Sequence, residues 1–183
     1  MLKGETEMAV KRVEGSWKNF PYRKDFENGA SNNGGFNLVE NPAQIDLITE
    51  FDNLPKIKKA VYQLNIQNTP FMTTGFLFDR ENENAIYHGY IEFCFRPNIN
   101  YSLIDIHKLD EMFVSHTLET IGKQFADFYQ TEFVWEIREG SVQQSSLVPI
   151  YCVFFRARNH AEAELELLPL LNWLQSSFQH LMN

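Results

Sequence analysis

The chain reads as an α+β domain: a single antiparallel sheet of about five strands, with helices packed on one face and a flexible N-terminal arm ahead of it. Three observations predict this. Short segments with period-two alternation, bounded by turn residues, mark half-buried strands. Between and after them, apolar residues recur at helical spacing. The composition supplies a core unaided: of 183 residues 44% are hydrophobic and 14% aromatic, with 16 Phe. That suits one domain with no need of disulfides or a metal.

The elements follow in order. Residues 1–37 read as a partly disordered arm, because the run Glu27 to Gly35 is rich in Gly and Asn, which favour turns. Trp17, Phe20, Tyr22 and Phe26 give this arm the means to dock on the domain or on a partner. The body spans 38–183. Asn41 and Pro42 open a short helix that runs to Phe51. Ala60, Tyr62, Leu64 and Ile66 alternate with more polar neighbours, which reads as a first strand. Further strands are expected over Phe71–Asp79 and Ala85–Arg96.

Ser102 and Asp105 form a capping box for a long helix, whose stripe is Leu109, Phe113, Thr117, Ile121, Phe125 and Phe128. Two more strands, Glu132–Glu139 and Leu147–Arg158, precede a last helix covering at least Pro169–Leu181. Residues 161–168 alternate like a strand yet consist of helix formers, so both readings stay open. The order is α-β-β-β-α-β-β-α, and its short connections require antiparallel neighbours.

The faces of the strands locate the interest. In the Ala85–Arg96 strand, Ile91, Phe93 and Phe95 point to the helices, while His88, Tyr90, Glu92, Cys94 and Arg96 point away. In the next strand Glu136 and Arg138 point away. The last strand is apolar on both faces for most of its length: Val148, Ile150, Cys152 and Phe154 oppose Tyr151, Val153 and Phe155. Such a strand needs cover on both sides. Two covers are open: a second copy of the chain as a homodimer, or the N-terminal arm with Trp17 and Phe20.

Charge and motifs narrow the function class. The net charge is −8, with +3 on residues 1–24 and −11 on the rest. An acidic body repels phosphate backbones, which argues against nucleic acid. No stretch reaches the ~18 apolar residues of a membrane helix, and the N-terminus lacks a signal-peptide run. Cytoplasm is therefore the expected compartment. Two cysteines, Cys94 and Cys152, make no disulfide framework.

No phosphate-binding loop, dinucleotide fingerprint, nucleophile elbow or zincin motif occurs. His107, Asp110 and Glu111 share a helix face, but the plainer reading is a polar surface. For a nucleophile with His88 as base, Cys94 lies roughly 20 Å along the strand at ~3.3 Å per residue, too far for a direct bond. Cys152 reaches His88 only if the Ala85–Arg96 and Leu147–Arg158 strands pair in the right register; the plainer reading of both cysteines is small buried apolar residues. Glu92 and Glu136 fit an acid–base pair, but the plainer reading is an ion-pair lattice with nearby arginines.

In element order over 41–182, the chain is similar to the type III secretion chaperones and to small acidic immunity proteins. That resemblance implies a protein-capturing role, dimeric in the first case. The expected function is a non-catalytic protein-binding domain with no cofactor and no metal. Its contact candidates are Tyr90, Arg96, Arg138, Phe154 and Arg156. The competing expectation is an enzyme or small-ligand binder with a pocket between the sheet and the long helix.

Overall fold

The computed structural model describes residues 10–14, 18–22, 31–80 and 82–182. Strands β1 (Lys11–Arg12), β2 (Lys18–Phe20), β3 (Phe71–Asp79), β4 (Tyr87–Phe95), β5 (Val134–Val142) and β6 (Leu147–Ala157) form one sheet in the order β1-β5-β6-β4-β3. The contacts β3–β4, β4–β6 and β5–β6 are antiparallel. β1 and β2 both run parallel to β5. The sheet is therefore mixed, with six strands, and not purely antiparallel. The reason lies in the N-terminal segment: its two short strands pair with the edge of β5, whose backbone groups would otherwise stay unpaired.

Two expected elements change type. Residues 60–66 belong to helix α1 (Pro55–Ile66), not to a strand. Ala60, Leu64 and their alternating neighbours fit period two, but Ile57, Ala60, Val61 and Leu64 also fall on one helical stripe, and these are buried. Pro55 sits at the first turn, where a missing N–H costs nothing. The segment 41–51 forms two 3-10 turns, Pro42–Leu47 and Thr49–Phe51. Its buried residues Ile45, Ile48 and Phe51 are three apart, the period of a 3-10 helix.

The long helix is two helices, α2 (Leu109–Thr120) and α3 (Lys123–Glu132). Gly122 between them has φ 118°, a conformation that breaks the helix and that only glycine adopts freely. Ser102 and Asp105 precede α2 and cap nothing in it; Asp105 Oδ1 instead accepts from the His107 N–H. Helix α4 spans His160–Ser176, with Pro169 inside it. This decides residues 161–168 as helix. Asn159 caps it, its Oδ1 accepting from the Glu162 N–H at 3.0 Å. The element order thus departs from α-β-β-β-α-β-β-α, and so from the order that carries the chaperone and immunity-protein resemblance.

One large core joins the helices to one face of the sheet. Ile57 and Leu64 of α1, Phe113 of α2, Tyr129 of α3 and Leu170 and Leu174 of α4 pack in the same cluster as Phe71, Ile91, Phe93 and Val153. Each fully buried side chain of this size contributes about 1.5–3 kcal/mol. A bulge interrupts β3: Thr73 pairs with Phe93, but Gly75 pairs with Glu92. The extra residue, Thr74, shifts the strand so that Gly75 faces away from the helices.

Among the described residues of the expected arm, Val10, Phe20 and Phe36 are buried, so packing begins well before Leu38. Trp17 and Phe26 lie outside the described residues.

Two measurements test this architecture. A Cβ at Gly122 would meet nothing within 4 Å, so Gly122→Ala isolates backbone strain, and it is expected to lower unfolding free energy in urea by about 1–3 kcal/mol. The second concerns Glu166 in α4. Burial first, then Glu162 and Glu132, push its carboxyl up to about 7. A carboxyl raised in the folded state holds its proton more tightly there, so stability falls as pH rises from the ordinary value towards 7 and then levels. Glu166→Gln is expected to flatten that part of the melting temperature profile between pH 5 and 8.

Candidate functional site on the open face

The face of the sheet away from the helices is organised in rows by strand register. Met72, Cys94, Ile150 and Arg138 form one row. Gly75, Glu92, Cys152 and Glu136 form the next. Leu77, Tyr90, Phe154 and Val134 follow, and then Asp79, His88 and Arg156. The character changes across these rows from apolar, to charged, to aromatic.

The first row is covered by the chain's own N-terminal segment. Phe20 is fully buried and packs with Met72, Cys94, Val142 and Ile150, with Val39 and Val148 alongside. Strand β2 brings it there: Phe20 pairs with Val142, and its carbonyl accepts from the Gln143 N–H at 2.7 Å. The Asn19 side chain holds the turn beyond β5, accepting from Ser141 Oγ at 2.7 Å and from the Gln144 N–H at 2.9 Å. Here Val148 and Ile150, on the second apolar face of β6, meet a cover supplied by the chain's own N-terminal segment.

A polar belt follows. The Tyr22 hydroxyl lies 2.8 Å from the Thr74 carbonyl oxygen and 2.9 Å from Glu92 Oε2, sharing its one proton between them. Glu92 is wholly buried. Across the sheet Arg138 donates from Nη1 to Glu92 Oε1 at 3.3 Å and from Nη2 to Glu136 Oε2 at 2.8 Å. Glycine makes this belt possible: a Cβ on Gly75 would meet Glu92 Oε2 and the Tyr22 hydroxyl at 2.6 Å, and one on Gly34 would meet the Tyr22 ring at 2.2 Å. Burial, then the Glu92 charge, drive the Tyr22 and Tyr90 hydroxyls well above their usual range. Glu50 joins from the 3-10 turns, its Oε2 accepting from the Asn33 N–H at 2.7 Å. Burial pushes its carboxyl up to about 8.

Beyond the belt lies the aromatic row, where Tyr90 and Phe154 are half-buried among the described residues. The Tyr90 and Phe154 rings meet edge to face at 5.9 Å, and the Arg138 guanidinium lies 5.7 Å from the Phe154 ring centre. Val134 in the same row is 55% exposed. His88 and Arg156 are exposed beside it, Arg156 reaching Glu132 at 3.0 Å. Elsewhere, at the β5 edge, a cleft of about 200 Å³ is lined by Arg12, Tyr101, His107, Ile137, Glu139 and Pro149 among others.

The structure therefore brings four of the five contact candidates together: Tyr90 and Phe154 share a row, Arg156 lies in the next, and Arg138 reaches the Phe154 ring from two rows away. Arg96 sits apart. Its Nε donates to the Phe71 carbonyl, and its Nη2 to the carbonyls of Leu64, Asn65 and Gln67, at 2.8–3.1 Å. These are the last carbonyls of α1 and the chain after it, so Arg96 closes the C-terminus of that helix.

The nucleophile candidates are not assembled. Cys152 pairs with Glu92 and His88 with Arg156, four residues apart along β4. Burial, then the Glu92 charge, push the Cys94 thiol up to about 12, where it is no nucleophile. Glu92 and Glu136 do share a partner in Arg138. Sequence reasoning named Tyr22 only as a docking residue of the arm and did not join it to Asn33, Glu50 and Thr74; the one signal for their meeting was the Asn/Gly run that lets Tyr22 seat on Gly34.

Tyr22→Phe keeps the ring and deletes the shared proton, leaving Glu92 and a backbone carbonyl short of a donor. It is expected to lower stability by about 1–3 kcal/mol in urea unfolding. It is also expected to speed amide exchange at residues 18–22, while exchange in α1 and α4 stays unchanged.

Compared with known protein families, with characterised proteins and with solved structures, the chain matches none.

Proposed function

We propose that the chain is a non-catalytic protein-binding domain that uses the open end of its sheet. The observation that carries this reading is the row Tyr90–Phe154–Val134 with Arg138 over the Phe154 ring. It is an aromatic and apolar strip in which Tyr90 and Phe154 are half-buried and Val134 is exposed, flanked by the exposed His88 and Arg156. Tyr and Arg anchors around an apolar centre are the composition from which protein interfaces draw most of their binding energy. Rigid strands hold these side chains, so little ordering entropy is lost on contact. Arg138 is pre-positioned by Glu92 and Glu136, and Arg156 stands at the rim, where its charge steers approach more than it adds affinity. Arg96 is left out of this contact set, because its guanidinium is engaged on four backbone carbonyls.

A second reading has one observation in its favour. The cleft at the β5 edge, walled by Tyr101, His107 and Pro149, offers a concave site of the kind small ligands occupy. Its two arginines are already paired, Arg12 with Glu139 at 2.6 Å and Arg138 with Glu92 and Glu136. The cleft therefore presents no uncompensated charge to a ligand, and the protein-binding reading is preferred.

The test is affinity capture from native lysate with cross-linking and mass spectrometry, alongside light scattering of the pure chain. Wild type is expected to retain a partner, cross-linked within reach of β4 and β6, that the Tyr90→Ala/Phe154→Ala variant loses at least about tenfold. A second copy as the partner would show as a dimer in scattering that the same variant dissociates. Capture unchanged by the double variant, or no partner and no dimer, would sink the proposal.

A further inference from the structure

Beside Tyr22, four residues carry buried side-chain atoms with no hydrogen-bond partner among the described residues. They are Oδ1 of Asn32, both Oδ1 and Nδ2 of Asn33, Oε1 of Glu50 and Oγ1 of Thr74. Asn33 and Thr74 are wholly buried and Asn32 is 5% exposed. Polar groups removed from water are almost always satisfied by protein, water or an ion, so a cluster of this kind points to something bound.

Three contacts bring these residues together. The Asn33 N–H holds Glu50 Oε2, which leaves Oε1 as the unsatisfied oxygen of that carboxyl. The Tyr22 N–H donates to the Gly34 carbonyl at 2.9 Å, fixing the 3-10 turn of Asn33–Gly35 against the tyrosine. The Tyr22 hydroxyl then reaches the Thr74 carbonyl, so the bulge of β3 lies at the far end of the same ring. The Phe51 and Phe76 rings, 4.9 Å apart, bring the turn that carries Glu50 against β3 just beyond the bulge.

The chemistry of the set is one-sided. Four of the five unsatisfied atoms are oxygens, one of them from the Glu50 carboxyl, which a bound cation would hold ionised, and the Glu92 carboxylate lies nearby across Tyr22. An amide assignment exchanges N for O by a simple flip, so Asn33 presents an oxygen in either orientation. No sulfur or imidazole takes part. A set of oxygens rich in acceptors is complemented by a hard cation. Among the described residues no three His, Cys, Asp or Glu side chains gather as a metal site; here neutral amide and hydroxyl oxygens make up most of the set.

We infer that the enclosure formed by Asn32, Asn33, Glu50 and Thr74 binds a hard cation of the Ca²⁺ class. It ties the N-terminal segment and the 3-10 turns to the bulge of β3. Irregular oxygen ligands suit Ca²⁺, whereas Mg²⁺ demands near-octahedral geometry and keeps its waters. With one directly coordinating carboxylate the affinity belongs to the weak class, with Kd about 10⁻⁴–10⁻³ M.

The experiment uses the full chain, freed of bound ions by a chelator and titrated with CaCl₂, MgCl₂ or NaCl at matched ionic strength up to about 10 mM divalent ion. CaCl₂ is expected to raise the melting temperature saturably, and Tb³⁺ is expected to emit on tyrosine excitation because Tyr22 borders the site. Glu50→Gln keeps an oxygen to accept from the Asn33 N–H, so its fold, checked by circular dichroism, is expected to survive. It and Asn33→Ala are expected to weaken both responses at least about tenfold. No thermal shift together with no Tb³⁺ emission overturns the inference and leaves the cluster to water alone. A response that persists in both variants places the ion elsewhere and overturns it too, as does an equal response to MgCl₂.

Discussion

The structure depends on a strand that has no solvent face. β6 lies between β4 and β5, and from Ile150 to Val153 it is buried on both sides. An antiparallel sheet normally keeps one face in water. Here the apolar residues on the second face forbid that, so the chain must supply two covers. Four helices provide the first. The second is drawn from the segment before residue 40, and its requirements shape nearly everything else on that face.

Covering the open face with one's own chain brings polar backbone and side chains into contact with the sheet. The belt of Tyr22, Glu92, Arg138 and Glu136 is the consequence. Buried ions cost several kcal/mol each unless paired and hydrogen-bonded, and Glu92 is held by both a guanidinium and a phenol. The belt also separates two regimes on one surface: the row under Phe20 is closed, and the row of Tyr90 and Phe154 is not. Cover stops where the charges begin. The proposed interface is thus the row of a two-sided apolar sheet that, among the described residues, stays partly exposed.

How much of this was legible in the sequence follows from the range of the interactions involved. The strands β3, β4, β5 and β6 could be read, because alternation is a local property imposed by the pleat. Their faces could be read too, and this is why Tyr90, Arg138, Phe154 and Arg156 were singled out: each lies on the polar-side register of its own strand. Arg96 obeys the same alternation, yet its side chain turns to the carbonyls ending α1. Which acceptors lie within reach of an arginine is a matter of packing, not of period. Helix α1 shows the same limit. Ala60, Leu64 and their neighbours satisfy both a two-residue and a helical stripe, and only burial of Ile57 and Val61 against the sheet decides between them.

By itself the sequence determined the α+β class, the strand segments β3 to β6 and the two-sided demand of β6, since these follow from composition and short-range periodicity. It also determined that a cover was needed, though not its source. The tertiary structure alone decided that the N-terminal segment supplies it, that β1 and β2 make the sheet mixed, and that Tyr22, Asn33, Glu50 and Thr74 meet. Those residues come from separate stretches of chain, and their meeting is set by the β3 bulge and by glycines that leave room for a ring. No local pattern encodes a contact whose geometry depends on three segments arriving at once.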